Sequence, residues 1–525
     1  MSAPPRRFGG IGALFFIASL GAIAFYVQKQ EIPEERDLVR SSATVLSEER
    51  PQEETIDALP WRDRLDLTAA TLIPLGAPAA AGLASPDAAP TDPNDPVEAA
   101  VDPKSSRMVQ ELADGHRILF TIDPVLQDTA LQIFRSREVP YAAAVVLDLR
   151  DNSVLTFAGH SSMDSQVDPL EVLTTAWAPA ASTFKLVTAA TLLKNKRANG
   201  KTKECFSGGL HGLTDEMLTD NPARDTRCES LSSAIAHSHN LVMAKLALKH
   251  LDSQSLLDGA KALGFERDIP FELPLERSPA HIPAEPRERA KVAAGFWHVD
   301  MSPLHGATMA SIFAREGVLQ PPHLVTQVLA PDGSDRTPPL PDIERTLPKE
   351  AARGVGAMMV ATTVDGTARK SFKDQNGVPY IANVKVAGKT GSLTGKKAPA
   401  LNYNWFVGYA PADNPEIAFA VLLANEPKWK IKAHYVARRM VQVYLERREA
   451  IREQSGARLT QDGGIMLPQS DAKSAPVLAQ AAAEPETLPQ PAPKPAPAPK
   501  PAPSDALPPV PGPVAEGTNP LPSQG

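Results

Sequence analysis

The chain has 525 residues, 42% of them hydrophobic, 52 prolines and a net charge of -7. That length would hold two or three average domains, but the prolines crowd into segments that are poor candidates for folding, so the usable core is smaller. The lack of a basic excess argues against nucleic acid as a partner, and two widely spaced cysteines supply too few ligands for a zinc site.

Residues 1–7 form a short tail ending in Arg6-Arg7, and Phe8 to Val27 is an uncharged, largely apolar run followed by Lys29. About 20 such residues span a bilayer, and positive charge on the N-terminal side retains that end in the cytoplasm. Residues 8–28 are therefore expected to be a single-pass signal-anchor helix with the rest of the chain outside. A cleavable signal peptide is the rival reading, with Ala22-Ile23-Ala24 offering small residues, although such apolar regions usually run only ~7 to 15 residues. Residues 29–105 are rich in Ala, Pro, Asp and Glu and read as a disordered stalk.

A globular domain is expected over 106–455. Arg117 to Pro124 predicts a strand and turn, and Val125 to Arg135 an amphipathic helix. Ala142 to Asp148 and Val154 to Gly159 predict a hairpin around Arg150-Asp151-Asn152, and Trp405 to Ala410 with Ile417 to Ala424 predict another around Asp413-Asn414-Pro415. With Asn383 to Ser392 this makes five strands, two from the start of the domain and three from its end, with mostly helical segments between and a closing helix over Lys430 to Arg452. The segregation predicts an α+β fold: a five-stranded antiparallel sheet flanked by helices, with an inserted, mostly helical subdomain. Cys205 and Cys228 lie in a loop-like segment of an exported chain, where oxidation is permitted. A disulfide between them would close a loop of about twenty residues and contribute roughly 3 kcal/mol; two unpaired thiols are the alternative. Residues 456–525 form a disordered Pro/Ala-rich tail in which Pro491 to Pro503 has polyproline character, suited to a spacer or docking strand and equally to an inert terminus.

Within Thr183 to Leu193 every residue is apolar or threonine except Lys185. A helix without a polar face belongs inside a domain, where an ammonium costs several kcal/mol unless paired or neutralised. Ser182 stands three residues earlier, at the expected first helical turn, and residues at i and i+3 share a face. Two further groups follow: Ser238-His239-Asn240, and Lys389-Thr390-Gly391-Ser392 at the end of an alternating run. Ser-x-x-Lys alone occurs about once or twice by accident in a chain of this size. In this order, however, the three groups make the Ser-x-x-Lys, Ser-x-Asn, Lys-Thr-Gly constellation of serine acyl-transfer enzymes.

On these residues the chain resembles the transpeptidase domain of penicillin-binding proteins from about Asp114 to Arg447. Leu119 to Gln127, Met301 to Ala307, Asp365-Gly366-Thr367-Ala368 and Asn404 to Tyr409 extend the likeness. The resemblance implies a peptidoglycan D,D-transpeptidase at a bacterial inner membrane, with its catalytic domain on the periplasmic side. It would act on D-Ala-D-Ala stem peptides, be inhibited by β-lactams and need no cofactor. Ser182 would be the nucleophile and Lys185 its base. A lysine with a reference pKa near 10.4 pays roughly 4 to 5 kcal/mol to be neutral at pH 7 unless burial and a nearby cation, here Lys389, lower it. Ser238 would relay the proton and Asn240 would hold Lys185 and the substrate amide. Because i and i+2 do not share a helix face, those two should sit in a turn between helices. Thr390, Gly391 and Ser392 would bind substrate, with Gly388 and Gly391 admitting an extended ligand beside the strand. The oxyanion hole would be the backbone N–H groups of Ser182 and Ser392.

The chain departs from the family where Pro179-Ala180-Ala181 replaces the usual Pro-Gly before the nucleophile. The segment 29–105 is also too short for a glycosyltransferase domain or a pedestal, so a separate glycan polymerase is the expected partner. A D,D-carboxypeptidase using the same site, and a non-catalytic muropeptide or β-lactam sensor or scaffold, are the alternatives. A β-lactamase would need a water-activating glutamate, for which Glu272 and Glu276 are weak candidates. His237 and His239 lack a third metal ligand.

Overall fold

The computed structural model describes residues 61–76, 101–208, 213–395, 400–427, 431–461 and 464–467. The chain divides into two units, 1–468 and 469–525, and the described residues all belong to the first. The segments 1–7 and 8–28, most of 29–105 and the polyproline repeat lie outside the described residues. Among those described, no helix is long and apolar enough to cross a membrane.

In chain order the elements that position the site are β1 (Thr71–Pro74), β2 (Ser106–Glu111), β3 (Arg117–Phe120), α1 (Pro124–Ser136), β4 (Tyr141–Asp148), β5 (Val154–Ser161) and α2 (Lys185–Lys194). The inserted helical part continues with the hairpin β6 (Lys203–Phe206) and β7 (Arg227–Ser230), then α3 (Leu231–Ala236), α4 (Asn240–His250), α5 (Pro286–Ala293) and α6 (Pro303–Ala314). The chain closes with β8 (Val325–Leu329), α7 (Lys349–Val364), β9 (Ala387–Thr394), β10 (Asn402–Ala410), β11 (Ile417–Asn425) and α8 (Ala433–Gln454).

The main sheet has the order β9-β10-β11-β4-β5 and every pairing is antiparallel. This is the five-stranded α+β architecture expected from the sequence. Successive side chains on a strand face opposite sides, and both sides are buried. Ala143, Val145, Leu147, Trp405, Val407 and Leu422 join a core with Leu186 and Leu192 of α2 and Leu304 and Ile312 of α6. Ala144, Val146, Phe406, Phe419 and Val421 join another with Phe134 of α1 and Val436 and Met440 of α8. Burial on both faces explains why these strands read as nearly continuous apolar runs. Asp123 caps α1 by accepting from the Leu126 N–H at 2.9 Å, and its carboxylate also accepts from Arg447 of α8 at 2.7 Å, tying the first helix to the last.

Both expected domain boundaries need correction. Within the expected stalk, β1 pairs with β2 from Thr71↔Val109 to Pro74↔Ser106 and Trp61 is 1% exposed. At the other end, Ala457, Leu459 and Ile465 pack with Val109, Leu119 and Leu329, so the folded unit continues past residue 455. Proline-rich composition marked the surroundings as unfoldable, but a short strand needs only an edge to pair with, and β2 supplies one. Cys205 and Cys228, opposite one another in the β6–β7 ladder, are disulfide-bonded.

Candidate active site

Ser182 does not lie in the first α-helical turn. Ala181–Phe184 is a 3-10 turn that runs into α2 at Lys185. With three residues per turn, i and i+3 eclipse, which brings Lys185 Nζ to 2.7 Å from Ser182 Oγ. The turn is held from outside: Trp405 Nε1 donates to the Pro179 carbonyl at 2.9 Å, and the Ala180 N–H donates to the Val299 carbonyl at 2.9 Å. Ala181 has φ 50°, a left-handed conformation that favours glycine. The family's usual glycine preference is thus met here by an alanine that these neighbours constrain.

Lys185 is fully buried and has two further partners, Asn240 Oδ1 at 2.8 Å and the Ala294 carbonyl at 2.6 Å. Burial first, and the charge of Lys389 second, hold its pKa well below the ordinary lysine value. A neutral amine has two hydrogens and one lone pair. Asn240 Oδ1 and the Ala294 carbonyl can only accept, so together they take both hydrogens and leave the lone pair for the Ser182 hydroxyl. That is the geometry of a base ready to receive the serine proton.

Ser238 sits in the expected turn between α3 and α4, at φ 56°, whereas Asn240 is already the first residue of α4, which His239 caps. Ser238 Oγ accepts from Lys389 Nζ at 2.9 Å, and Lys389 also donates to the Thr390 carbonyl at 2.8 Å. Burial alone lowers the Lys389 pKa to about 7. The structure therefore brings together two hydrogen-bonded groups, Ser182–Lys185–Asn240 and Ser238–Lys389, with the charge of Lys389 acting on Lys185. On β9, Thr390 Oγ1 and Thr367 Oγ1 are 2.7 Å apart, and exposed Ser392 accepts from Asn404 Nδ2 at 3.0 Å.

The expected reason for the glycines is corrected. A Cβ on Gly388 would lie 2.3 Å from Phe406 Cζ, and one on Gly391 3.0 Å from Thr183 Cγ2. Their missing side chains make room for packing within the protein, against Phe406 and Thr183. Glu272 accepts from the Leu324 and Val325 N–H groups and Glu276 from the Ala176 N–H, so both carboxylates serve the backbone. Among the described residues, no group of three or more His, Cys, Asp or Glu could hold a metal ion.

Three contributors escaped the sequence reading. Ala294 acts through its carbonyl, which carries no side-chain signal. Gly295 has φ 85°, and a Cβ there would lie 2.4 Å from the Ala181 carbonyl oxygen, so only glycine lets this loop press against the turn that carries Ser182. Thr367 lies in the recognised Asp365 to Ala368 motif, but its reach to Thr390, with its N–H on the Ala236 carbonyl at 3.0 Å, is a tertiary fact.

Residues 142–442 match the family model of the penicillin binding protein transpeptidase domain. The chain belongs to this family. Penicillin-binding relatives include the peptidoglycan D,D-transpeptidase PbpA of Mycolicibacterium smegmatis, 28% identical over 256 residues, covering 47% of this chain and 50% of that protein. The peptidoglycan D,D-transpeptidase MrdA of Haemophilus influenzae is 26% identical over 387 residues, 64% of this chain and 57% of the relative. This chain thus spans about half the length of the curated relatives it matches. Among solved structures, the D,D-transpeptidase domain of a peptidoglycan glycosyltransferase from Eggerthella lenta aligns with TM-score 0.52 and 24% identity over 65% of this chain and 84% of that one. PBPA from Mycobacterium tuberculosis aligns with TM-score 0.52 and 21% identity over 63% and 81%. At that identity they support the penicillin-binding transpeptidase fold.

Proposed function

We propose that this protein is a peptidoglycan D,D-transpeptidase that works through an acyl-enzyme on Ser182. The observation that carries the proposal is the buried Lys185 Nζ within hydrogen-bond distance of Ser182 Oγ, Asn240 Oδ1 and the Ala294 carbonyl, so that a neutral amine gives its two hydrogens to the last two and turns its lone pair to the serine. The names of relatives such as PbpA and MrdA support the same activity. Lys185 takes the Ser182 proton as Oγ attacks the carbonyl of the penultimate D-Ala, and the backbone N–H groups of Ser182 and Ser392 stabilise the oxyanion. Ser238, oriented by Lys389, passes its proton to the departing D-Ala amine and regains one from the Lys185 ammonium, so the proton taken from Ser182 leaves with the amine and Lys185 is neutral again. The acyl group then moves to an amine on a neighbouring stem peptide. Lys389, Thr390 and Ser392 bind the terminal carboxylate through charge and hydroxyl groups.

Inhibition by β-lactams follows from the same step, since a β-lactam carbonyl acylates Ser182 and leaves an ester. M. tuberculosis penicillin binding protein 3 has been solved with ampicillin and with aztreonam. In this reading residues 8–28 anchor the protein in the inner membrane, the folded unit faces the periplasm, and a separate polymerase supplies the glycan strands.

The test is the intact mass of the detergent-solubilised full chain after incubation with benzylpenicillin, beside Ser182→Ala. A penicilloyl adduct on the wild type that is absent from the variant is the expected result; folded wild type without adduct or penicillin loss would overturn the reading. Product analysis on D-Ala-D-Ala muropeptides then sets the acceptor: cross-linked dimer supports the transpeptidase, and D-Ala release without dimer supports a carboxypeptidase.

A further inference from the structure

Ser238 bonds Lys389 and Asn240 bonds Lys185, so the turn that carries Ser238 and leads into Asn240 at the start of α4 sets the position of both lysine partners. The residue between them, His239, is 1% exposed and packs edge-on against Phe206, with ring centroids 4.3 Å apart. Phe206 ends β6 directly after Cys205, and the Arg227 guanidinium covers its ring at 4.9 Å. The β6–β7 hairpin stands apart from both larger sheets as a two-stranded ribbon with four register pairs. A two-stranded hairpin by itself is marginally stable. Here it is closed by the Cys205–Cys228 bond and pinned by Lys245 of α4, which donates to the Cys205 carbonyl at 2.9 Å and to Asp225 at 2.6 Å. The same ribbon reaches the other side of the turn, because Ser230, the last residue of β7, caps α3 by accepting from the Ser233 N–H at 3.1 Å.

We infer that Phe206, clamped by the Cys205–Cys228 disulfide, is a positioning residue for the Ser238-His239-Asn240 turn, and that acyl transfer at Ser182 therefore depends on the oxidised hairpin. The inference rests on the proposed role of Ser182. Cys228 is exposed, so a dithiol can reach it. One thiolate of the dithiol attacks a protein sulfur to give a mixed disulfide, and the second closes a cyclic disulfide. The protein gains two electrons and two protons as two thiols, and the reagent leaves oxidised. With the ribbon open, Phe206 no longer fixes His239, and Ser238 and Asn240 lose their alignment on the two lysines.

The experiment compares stopped-flow benzylpenicillin acylation of the full chain in four forms: oxidised, reduced with dithiothreitol, Cys205→Ser/Cys228→Ser, and Phe206→Leu with its disulfide intact. A displaced turn should lower the acylation rate constant about tenfold or more in the last three forms. The non-covalent binding constant should stay within about twofold, a split that general loss of folded protein would not produce. Removal of dithiothreitol in air should restore the rate of the wild type but not of the double serine variant. If the oxidised protein is never acylated, the reading of Ser182 itself fails. If it is acylated and the reduced, folded protein reacts at the same rate constant, only the positioning inference is overturned. Should reduction unfold the chain, folded Phe206→Leu decides: a wild-type rate constant overturns the inference and a selective fall supports it.

Discussion

On the sheet side of the site, Lys389 to Ser392 lie on β9, which is paired residue by residue with β10 from Ala387↔Tyr409 to Thr394↔Asn402 and backed by the Phe406 core. On the helical side, Ser238 lies in a turn at a left-handed φ and Asn240 begins α4, backed by a small disulfide-closed ribbon, while the loop around Ala294 and Gly295 meets Lys185 and the Ser182 turn. Lys185 is the meeting point, since its partners come from the helical side and its electrostatic neighbour from the sheet side. The contrast teaches that the two halves should fail differently. Apart from Lys389, whose charge acts on the reacting groups, damage to the sheet side costs stability, because many ladder and core contacts must shift together, whereas damage to the helical side costs chemistry, because a few contacts aim the reacting groups.

The sharpest way to break the comparison is Gly295→Ala. A methyl group there meets the Ala181 carbonyl at 2.4 Å and Ser182 Cα at 2.9 Å, and the backbone is at φ 85°, so the nucleophile turn and the Ala294 carbonyl must move. Misplacement by about 1 Å can cost 10²-fold in rate, and the acylation rate constant should fall by about that factor while most protein stays folded by circular dichroism.

Lys389→Ala tests the electrostatic link. In the wild type the acylation rate should rise with pH as Lys185 gives up its proton, then fall above about 7 as Lys389 loses its own. Without Lys389, no neighbouring charge pushes the Lys185 pKa down, so the rising limb should move to higher pH and the falling limb near 7 should vanish. The maximal rate should drop roughly 10²-fold, the lower end of what a positioned proton-transfer partner contributes. A pH–rate profile that keeps its shape would separate the two lysines.

Gly388→Ala attacks the sheet side. Its methyl would meet the buried Phe406 ring at 2.3 Å, and overpacking a core typically costs about 1–3 kcal/mol. Denaturant unfolding should show that loss, while the acylation rate constant per folded molecule stays within about threefold. An equally large rate defect would contradict the division of labour.

The smallest effect is expected at Asp300, which lies opposite Pro179 just ahead of the nucleophile. Burial first, and the nearby Glu276 charge second, raise its pKa to about 6. From the usual carboxylate range up to about pH 6 the folded chain holds a proton that the unfolded chain has lost, so this group's contribution to stability falls as pH rises through that window. Asp300→Asn should therefore stabilise the protein by roughly 1–2 kcal/mol above pH 6 and change little at pH 3.5. Melting curves at the two pH values check this.

The sequence by itself determined the five main-sheet strands, two from the start of the domain and three from its end, and the three motifs that the fold brings together. Strand runs buried on both faces are continuous in apolar residues, a lone lysine in an apolar helix announces a special environment, and Ser238-x-Asn240 cannot sit on one helical face and so demands a turn. Only the tertiary structure decided the rest. Backbone groups such as the Ala294 carbonyl leave no trace in residue type, and the need for Gly388 and Gly295 depends on which atoms from distant segments arrive beside them. The role of Phe206 likewise depends on His239, far away in sequence, folding onto its edge. Local pattern encodes which surfaces must be buried, but which two surfaces bury each other is set by packing of the whole chain.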